Sequence, residues 1–167
     1  EDAVPAELQE GFKTIRHHTT TPLAVGEIFN TIHQCRELIT NQWIDFIRMT
    51  ITHGGGITPM VKIAHLAENF HVKMGCHGPS DLSPINLAAS LHFGTAINNF
   101  GIQEYMGFPK EVSEVFSTDY KFSEGFFTIH ENPGLGVEFN EEKAKQYPYK
   151  PAYLPINRLE DGTLYNW

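Results

Sequence analysis

The chain has 167 residues with a formal net charge of −8, and hydrophobic residues make up 41% of it. This apolar content can fill a core and excludes a disordered chain. The acidic balance, without any run of Lys or Arg, argues against a nucleic-acid or anionic-membrane surface. No stretch approaches the ~18 consecutive apolar residues of a membrane span. The two cysteines, Cys35 and Cys76, are far apart and typical of reduced thiols, so we expect a cytoplasmic protein.

Helices and short apolar runs alternate along residues 1–106. Apolar residues at helical spacing predict helices over 5–18, 32–42, 59–70 and 84–91, and apolar runs predict strands over 23–26, 44–48, 72–75 and 102–105. Strands separated by helical crossovers indicate a parallel sheet of βα units. After Met106, Pro and Gly punctuate the chain. We therefore expect irregular structure and short antiparallel strands, packed on the body, over residues 107–167.

A polar or ionisable residue lies at the end of each predicted strand. These residues are Glu27, Arg48, His77 and Glu104, and Glu1 and Asp2 lie where the end of a further strand would fall. In parallel α/β proteins the carboxyl ends of the strands form the rim of the active site, so we expect these side chains to converge. For a single acid, the alternative is that it only caps the following helix. Five such positions in register favour a site.

The residue types at these positions suggest a reaction class. Glu1 and Glu27 offer the hard oxygen ligands that Mg²⁺ prefers. Arg48 and His77 can donate to an anionic substrate, and Glu104 can accept from sugar hydroxyls. We expect Asp81, four residues after His77, to orient that imidazole through a hydrogen bond. This set suits Lewis-acid stabilisation of an enolate formed by removing a proton alpha to a carboxylate.

Several motifs resemble the enolase superfamily, and within it the mannonate dehydratase group, which includes RspA-like starvation-sensing proteins. The motifs are EDAVPAE at 1–7, VGEIFN at 25–30, GCHGPSDLSP at 75–84, GIQEYM at 101–106, YPYK at 147–150 and LPINRLEDGT at 154–163. The resemblance extends from the first residue to the last. It implies the C-terminal portion of a (β/α)₈ barrel, from about the fourth strand to the eighth, with residues 1–106 in the barrel and 107–167 as an extension packed on it.

The resemblance also implies roles for individual residues. Glu1 and Glu27 match the Mg²⁺ ligands of the family's fourth and fifth strands, while the third-strand Asp ligand lies upstream of this chain. The family's acid/base pair, a Tyr and a His, and its capping domain also lie upstream, so no catalytic residue is expected here. The matching substrate-binding positions are Glu27, Arg48, His77, Asp81, Glu104 and Trp167.

The family reaction implied by the resemblance is the dehydration of a sugar acid, of the D-mannonate or D-gluconate class, to a 2-keto-3-deoxy acid. A complete barrel needs about 250 residues, so we expect this chain to be the second half of a larger enzyme, inactive alone and homo-oligomeric in full-length form. One alternative is a diverged homologue that binds acid sugars or regulates without catalysis. Another is a half-barrel that self-associates through its bare sheet edge.

Overall fold

A computed structural model describes residues 1–151 and 158–163 of the chain. Its centre is a four-stranded parallel sheet in the order β1-β2-β3-β4. The strands are β1 (Ala24–Val25), β2 (Phe46–Ile47), β3 (Lys73–Cys76) and β4 (Phe100–Gln103), and the helices that precede and separate them are α1 (Gln9–Arg16), α2 (Ile32–Thr40), α3 (Ile57–Asn69) and α4 (Pro84–Ala96). Each consecutive pair of strands is therefore joined by a helix, as the sequence predicts. Within the described residues, no helix is long and apolar enough to cross a membrane.

The core lies between this sheet and its helices. The helices bury apolar faces that include Phe12, Leu38 and Ile63, against strand residues such as Ile47 and Met74, all at most 1% exposed. Burying an aromatic or branched aliphatic side chain contributes roughly 1.5–3 kcal/mol. The crossover helices therefore hold the strands in parallel, and their carboxyl ends lie along one edge of the sheet.

Two predicted elements are displaced in the structure. The first helix begins at Gln9 rather than Pro5, because the preceding residues form a turn in which the Leu8 amide donates to the Pro5 carbonyl at 2.8 Å. The fourth strand covers Phe100–Gln103 rather than residues 102–105, because it pairs with β3 through a register shift between Met74 and Gly75. This displacement puts Glu104 directly after the strand.

The C-terminal region contains short antiparallel strand pairs, as expected. β5 (Phe116–Thr118) pairs with β8 (Val137–Phe139), and β6 (Lys121–Ser123) pairs with β7 (Phe126–Thr128). Two short helices were not predicted: α5 (Lys110–Val115), which follows Pro109, and α6 (Glu141–Ala144), which Asn140 caps by accepting from the Lys143 amide at 2.9 Å.

Aromatic rings attach this region to the end of β4. Tyr105, two residues beyond that strand, lies with its ring centroid 5.0 Å from that of Phe122 and 4.9 Å from that of Phe127. Aromatic pairs at such separations are stabilising beyond the area they bury. The β6–β7 hairpin is therefore fixed beside the strand that carries Glu104. The division of the chain at residues 106 and 107 stays a prediction.

Candidate active site

The side chains that follow the strands converge on Arg48, as the parallel order of the sheet requires. Arg48 follows β2 and is only 7% exposed. Its Nη1 contacts carboxylate oxygens of Glu1 and, at 3.2 Å, Glu27, while its Nη2 lies 2.5 Å from Oε2 of Glu104. A planar guanidinium has donors in a fixed fork, which allows one side chain to bridge several carboxylates. Arg48 thus joins Glu1 at the start of the chain with Glu27 and Glu104, which follow β1 and β4.

The charge of Arg48 is retained despite its burial. Burial lowers the pKa of its guanidinium, and the neighbouring Glu104 carboxylate opposes that shift. Because an arginine side chain stays protonated in proteins, a full positive charge sits among the carboxylates. A buried ion of this kind persists only when it is paired and hydrogen-bonded, which the surrounding acids provide.

His77 and Glu104 form a pair across the ends of β3 and β4. Nδ1 of His77 lies 2.7 Å from Oε2 of Glu104 and 3.1 Å from Nη2 of Arg48. Because a carboxylate can only accept, the shorter contact places the proton on Nδ1, which donates to Glu104. Nη2 of Arg48 can only donate, so it donates to Glu104 rather than to Nδ1. Nε2 of His77 is then the ring nitrogen left for another partner.

Oε2 of Glu104 receives a third donor from the backbone. The Gly78 amide donates to this oxygen at 2.9 Å, beside the donors of Arg48 and His77. Burial alone would raise the pKa of Glu104, but the Gly78 amide, Arg48 and His77 together outweigh it and lower that pKa. Glu104 is therefore an ionised acceptor near neutral pH.

A cluster of acids lies beside Nη1 of Arg48. Glu1, Asp2 and Glu27 each offer a carboxylate oxygen, and these oxygens lie within 4.8 Å of one another. Residue 2 runs beside β1, with its amide donating to the Ala24 carbonyl at 2.9 Å. The pKa of Asp2 is raised by burial first and then by the charge of Glu27. Carboxylates crowded in this way are favourable ligands for a hard divalent cation.

The backbone before and at Glu27 is fixed by two features that the sequence prediction did not use. Gly26 has a φ of +132°, and a Cβ there would lie 2.8 Å from Cδ1 of Ile47. His53, from the loop after β2, has its Nδ1 2.9 Å from the Glu27 carbonyl oxygen, so this nitrogen donates. The glycine of the VGE motif could have indicated a constrained backbone before Glu27. The contact of His53 could not be predicted from the sequence, because it depends on the geometry of the loop.

The prediction that Asp81 orients His77 is wrong. Asp81 lies exposed in the turn that precedes α4, and within the described residues Glu104, not Asp81, bonds to the imidazole. The reason is sheet order: Glu104 follows the strand next to β3, so its carboxylate reaches across, whereas residue 81 has already left the strand end. A contact of Asp81 with substrate stays a prediction. Trp167 lies outside the described residues.

A cleft of about 420 Å³ opens between these side chains and the sheet, lined by Glu1, Ala24, Phe46, Arg48, Gly75, Ile102 and Glu104. Parallel βα units whose strand ends carry acids, an arginine and a histidine around a cleft define an α/β protein with its polar site at the carboxyl ends of the strands. The chain belongs to the enolase C-terminal domain-like family, whose model matches residues 1–143. The predicted superfamily is confirmed.

Similar proteins narrow this family further. The chain is 60% identical over all 167 residues to the D-galactonate dehydratase family members ManD of Chromohalobacter salexigens and RspA of Cellvibrio japonicus. It is 58% identical to a D-mannonate dehydratase of Caulobacter sp. strain K31. The chain spans 41–42% of the length of these relatives. The predicted resemblance to the mannonate dehydratase group is therefore confirmed.

Solved structures agree with the predicted fold. An enolase from Pantoea ananatis with bound D-gluconate and Mg superposes on 98% of the chain, and on 40% of its own length, with a TM-score of 0.90 at 37% sequence identity. A dehydratase-like protein from Salmonella enterica serovar Typhimurium superposes on 87% of the chain and 36% of its own length, with a TM-score of 0.79 at 30% identity. The prediction of a C-terminal portion of an enolase-type barrel is confirmed.

Proposed function

We propose that this chain is the second half of a magnesium-dependent acid-sugar dehydratase that converts a substrate of the D-mannonate or D-gluconate class to a 2-keto-3-deoxy acid. The observation that carries the proposal is the ionic network in which Arg48 contacts Glu1, Glu27 and Glu104. The names of the 55–60% identical relatives and the D-gluconate and Mg bound to the Pantoea enolase support the same substrate class.

The acidic cluster fits a magnesium ion. Glu1 and Glu27, with Asp2 beside them, present oxygens within 4.8 Å of one another, and Mg²⁺ is usually held by one or two protein carboxylates plus substrate oxygens. The raised pKa of Asp2 reflects burial and the neighbouring Glu27 charge, both of which a cation would offset. When bound, Mg²⁺ supplies Lewis-acid stabilisation of the negative charge that develops on the substrate carboxylate.

The remaining residues bind and orient the sugar acid. Arg48 supplies a fixed positive charge beside the metal ligands, which holds an anionic substrate against the sheet edge. Oε2 of Glu104 is already occupied by three donors, so its Oε1 is the atom that accepts from a sugar hydroxyl. Nε2 of His77 is directed to the substrate by the bond at Nδ1. The proton-transfer pair belongs to the upstream part of the polypeptide.

The test is an activity screen of the full-length polypeptide with Mg²⁺ against D-mannonate, D-gluconate and D-galactonate. We expect a 2-keto-3-deoxy acid from at least one substrate, measured by colour reaction and by proton NMR. Addition of a chelator should abolish the product. Failure of every substrate to react would contradict the proposal.

The alternative function is that of an acid-sugar-binding or regulatory protein without turnover, and the same site geometry would serve it. Calorimetric binding of a sugar acid in the presence of Mg²⁺, with no product after prolonged incubation, would favour this alternative. We further propose a cytoplasmic homo-oligomer, and sedimentation of the full-length polypeptide would test its oligomeric state.

A further inference from the structure

The side chain of Gln103 connects three elements just below the proposed substrate site. Its Nε2 donates to the Cys76 carbonyl at 3.2 Å and to the Glu104 carbonyl at 2.8 Å, while its Oε1 accepts from the Ser90 hydroxyl at 2.7 Å. Ser90 lies on α4 and is 1% exposed. Both hydrogens of the amide and its oxygen are therefore used.

This amide lies where the β3–β4 ladder ends. The Glu104 amide donates to the Cys76 carbonyl at 3.1 Å, and the next residues on both strands, His77 and Tyr105, leave the sheet. Beyond this bond, the side chain of Gln103 adds a second donor to the same Cys76 carbonyl. The two strand ends are therefore held together at the point where they would otherwise diverge.

Gly78 shows how closely the two chain segments approach. A Cβ on Gly78 would overlap the Glu104 carbonyl oxygen and would lie 2.8 Å from Nε2 of Gln103. Only a glycine lets the loop after β3 lie this near, which places the Gly78 amide 2.9 Å from Oε2 of Glu104. The distance between His77 and Glu104 depends on this close approach. The amide of Gln103 holds the two segments at this distance by bonding to the carbonyls of Cys76 and Glu104.

We propose that Gln103 is a positioning residue of the site: by bonding the Cys76 and Glu104 carbonyls and being anchored by Ser90, it holds His77 against Oε2 of Glu104 and leaves Oε1 of Glu104 for the substrate. Gln103 acts through Glu104 and His77 and does not itself contact the sugar acid. The kinetic part of this inference rests on the proposed function, whereas its structural part does not.

The test compares Gln103→Met with Gln42→Met in the full-length polypeptide. Methionine matches the length of glutamine but has no amide. Gln42 is a matched control because its Nε2 also donates to a backbone carbonyl, that of Phe70, at 2.9 Å, but near the amino ends of the strands.

Loss of a residue that orients a binding group typically costs about 10–100-fold in affinity or activity. We expect Gln103→Met to raise KM about tenfold or more, with a smaller change in kcat and unchanged Mg²⁺ affinity. Gln42→Met should leave all three unchanged.

A double-mutant cycle with Glu104→Gln separates positioning from a general loss of stability. If Gln103 acts through Glu104, the second substitution costs less once the first is present, so the two effects on kcat/KM are not additive. Additive effects, or an unchanged KM in Gln103→Met, would overturn the inference. Should Gln103→Met fail to fold, Ser90→Ala, which removes only the donor to Oε1 of Gln103, is expected to give the same kinetic pattern at smaller size.

Crystal structures of Gln103→Met or Ser90→Ala keep the inference testable if the wild-type polypeptide turns over none of the sugar acids. We expect the separation of Nδ1 of His77 and Oε2 of Glu104 to exceed 2.7 Å, the distance in this chain. An unchanged His77–Glu104 pair in the variant would contradict the positioning role. Absence of turnover in the wild type would count against the proposed function alone.

Discussion

The two ends of the parallel sheet use polar side chains differently. At the amino ends, Asp45 accepts from the Leu23 amide at 2.7 Å and pairs with Arg16, and Asn99 donates to the Ala64 and Val72 carbonyls at 3.0 Å. These groups bond mostly to the backbone. At the carboxyl ends, Arg48 contacts the carboxylates of Glu1, Glu27 and Glu104 and lines a cleft.

This difference separates stability from function within one sheet. A side chain that bonds to backbone groups, as Asp45 and Asn99 do, fixes the local chain. The carboxyl-end residues instead place several charges at one cleft, with Oε1 of Glu104 and Nε2 of His77 left for a ligand by the bonds that Oε2 and Nδ1 make. Substitutions at the carboxyl end should therefore reduce activity with little loss of stability, and those at the amino end should do the reverse.

The largest effect is expected from Arg48→Lys. Lysine keeps the positive charge, but it lacks the planar fork in which Nη1 contacts Glu27 while Nη2 contacts Glu104. We expect kcat/KM of the full-length polypeptide to fall by about 10²–10³-fold, the size typical of losing an oriented electrostatic donor. Steady-state kinetics with Mg²⁺ and the active sugar acid measure this. A change of less than about threefold, with a native circular dichroism spectrum, would contradict the central role of Arg48.

A smaller effect is expected from Glu104→Gln. This substitution keeps the shape of the side chain but removes the negative charge to which Arg48, His77 and the Gly78 amide donate hydrogen bonds. We expect kcat/KM to fall about 10–100-fold, mainly through KM. Exposed Glu37, on α2, gives a matched control in Glu37→Gln, for which kinetics should be unchanged. Equal kinetic constants for Glu104→Gln and Glu37→Gln would contradict the assignment of Glu104 to the substrate site.

The amino end should respond in the opposite sense. Asp45→Asn weakens the pair with Arg16 and the bond from the Leu23 amide, both partly exposed. We expect a loss of about 1–2 kcal/mol in the free energy of unfolding, because exposed ion pairs contribute little and a hydrogen bond about 1 kcal/mol. Urea denaturation measures this loss, while kcat/KM at saturating Mg²⁺ should stay within twofold, roughly the scatter of such measurements. A tenfold fall in kcat/KM without any loss of stability would break the contrast between the two ends.

The pH dependence of stability should show the smallest effect. The folded pKa of Glu104 lies below its usual value of 4.5, so the ionised carboxylate stabilises the folded state above that pH. This contribution is lost as the pH falls through the depressed folded pKa. The difference in unfolding free energy between the wild type and Glu104→Gln should therefore shrink as the pH is lowered below 4.5, as acid titrations of denaturation would show. A difference that grows on acidification would contradict the lowered pKa of Glu104.

The sequence predicts the positions of the strand ends well because an apolar run followed by a charged residue is a local pattern. Glu27, Arg48, His77 and Glu104 each follow their strand as expected, and the order of the sheet follows from the helical crossovers. Which side chains then meet is not local. The bond from His77 to Glu104 instead of Asp81 depends on the register between β3 and β4, including the shift after Met74.

Two further features were not fully predicted for similar reasons. Asp2 is expected to converge with the other strand-end residues, but the sequence does not predict that its carboxylate joins those of Glu1 and Glu27 as a third possible metal ligand, because this depends on how the start of the chain runs beside β1. Gln103 is one glutamine among several in the sequence, and only its bonds to Ser90, Cys76 and Glu104 distinguish it. Long-range pairings of this kind arise from tertiary packing rather than from residue type.

The Mg²⁺ affinity of Glu27→Gln tests the central claim most directly. Isothermal titration of the full-length polypeptide with MgCl₂ should show binding in the wild type and in Glu37→Gln. In Glu27→Gln, binding should be lost or weakened at least about 100-fold, because an amide replaces a charged ligand in the acidic cluster. Wild-type Mg²⁺ affinity in a folded Glu27→Gln variant would contradict the assignment of this cluster as the metal site.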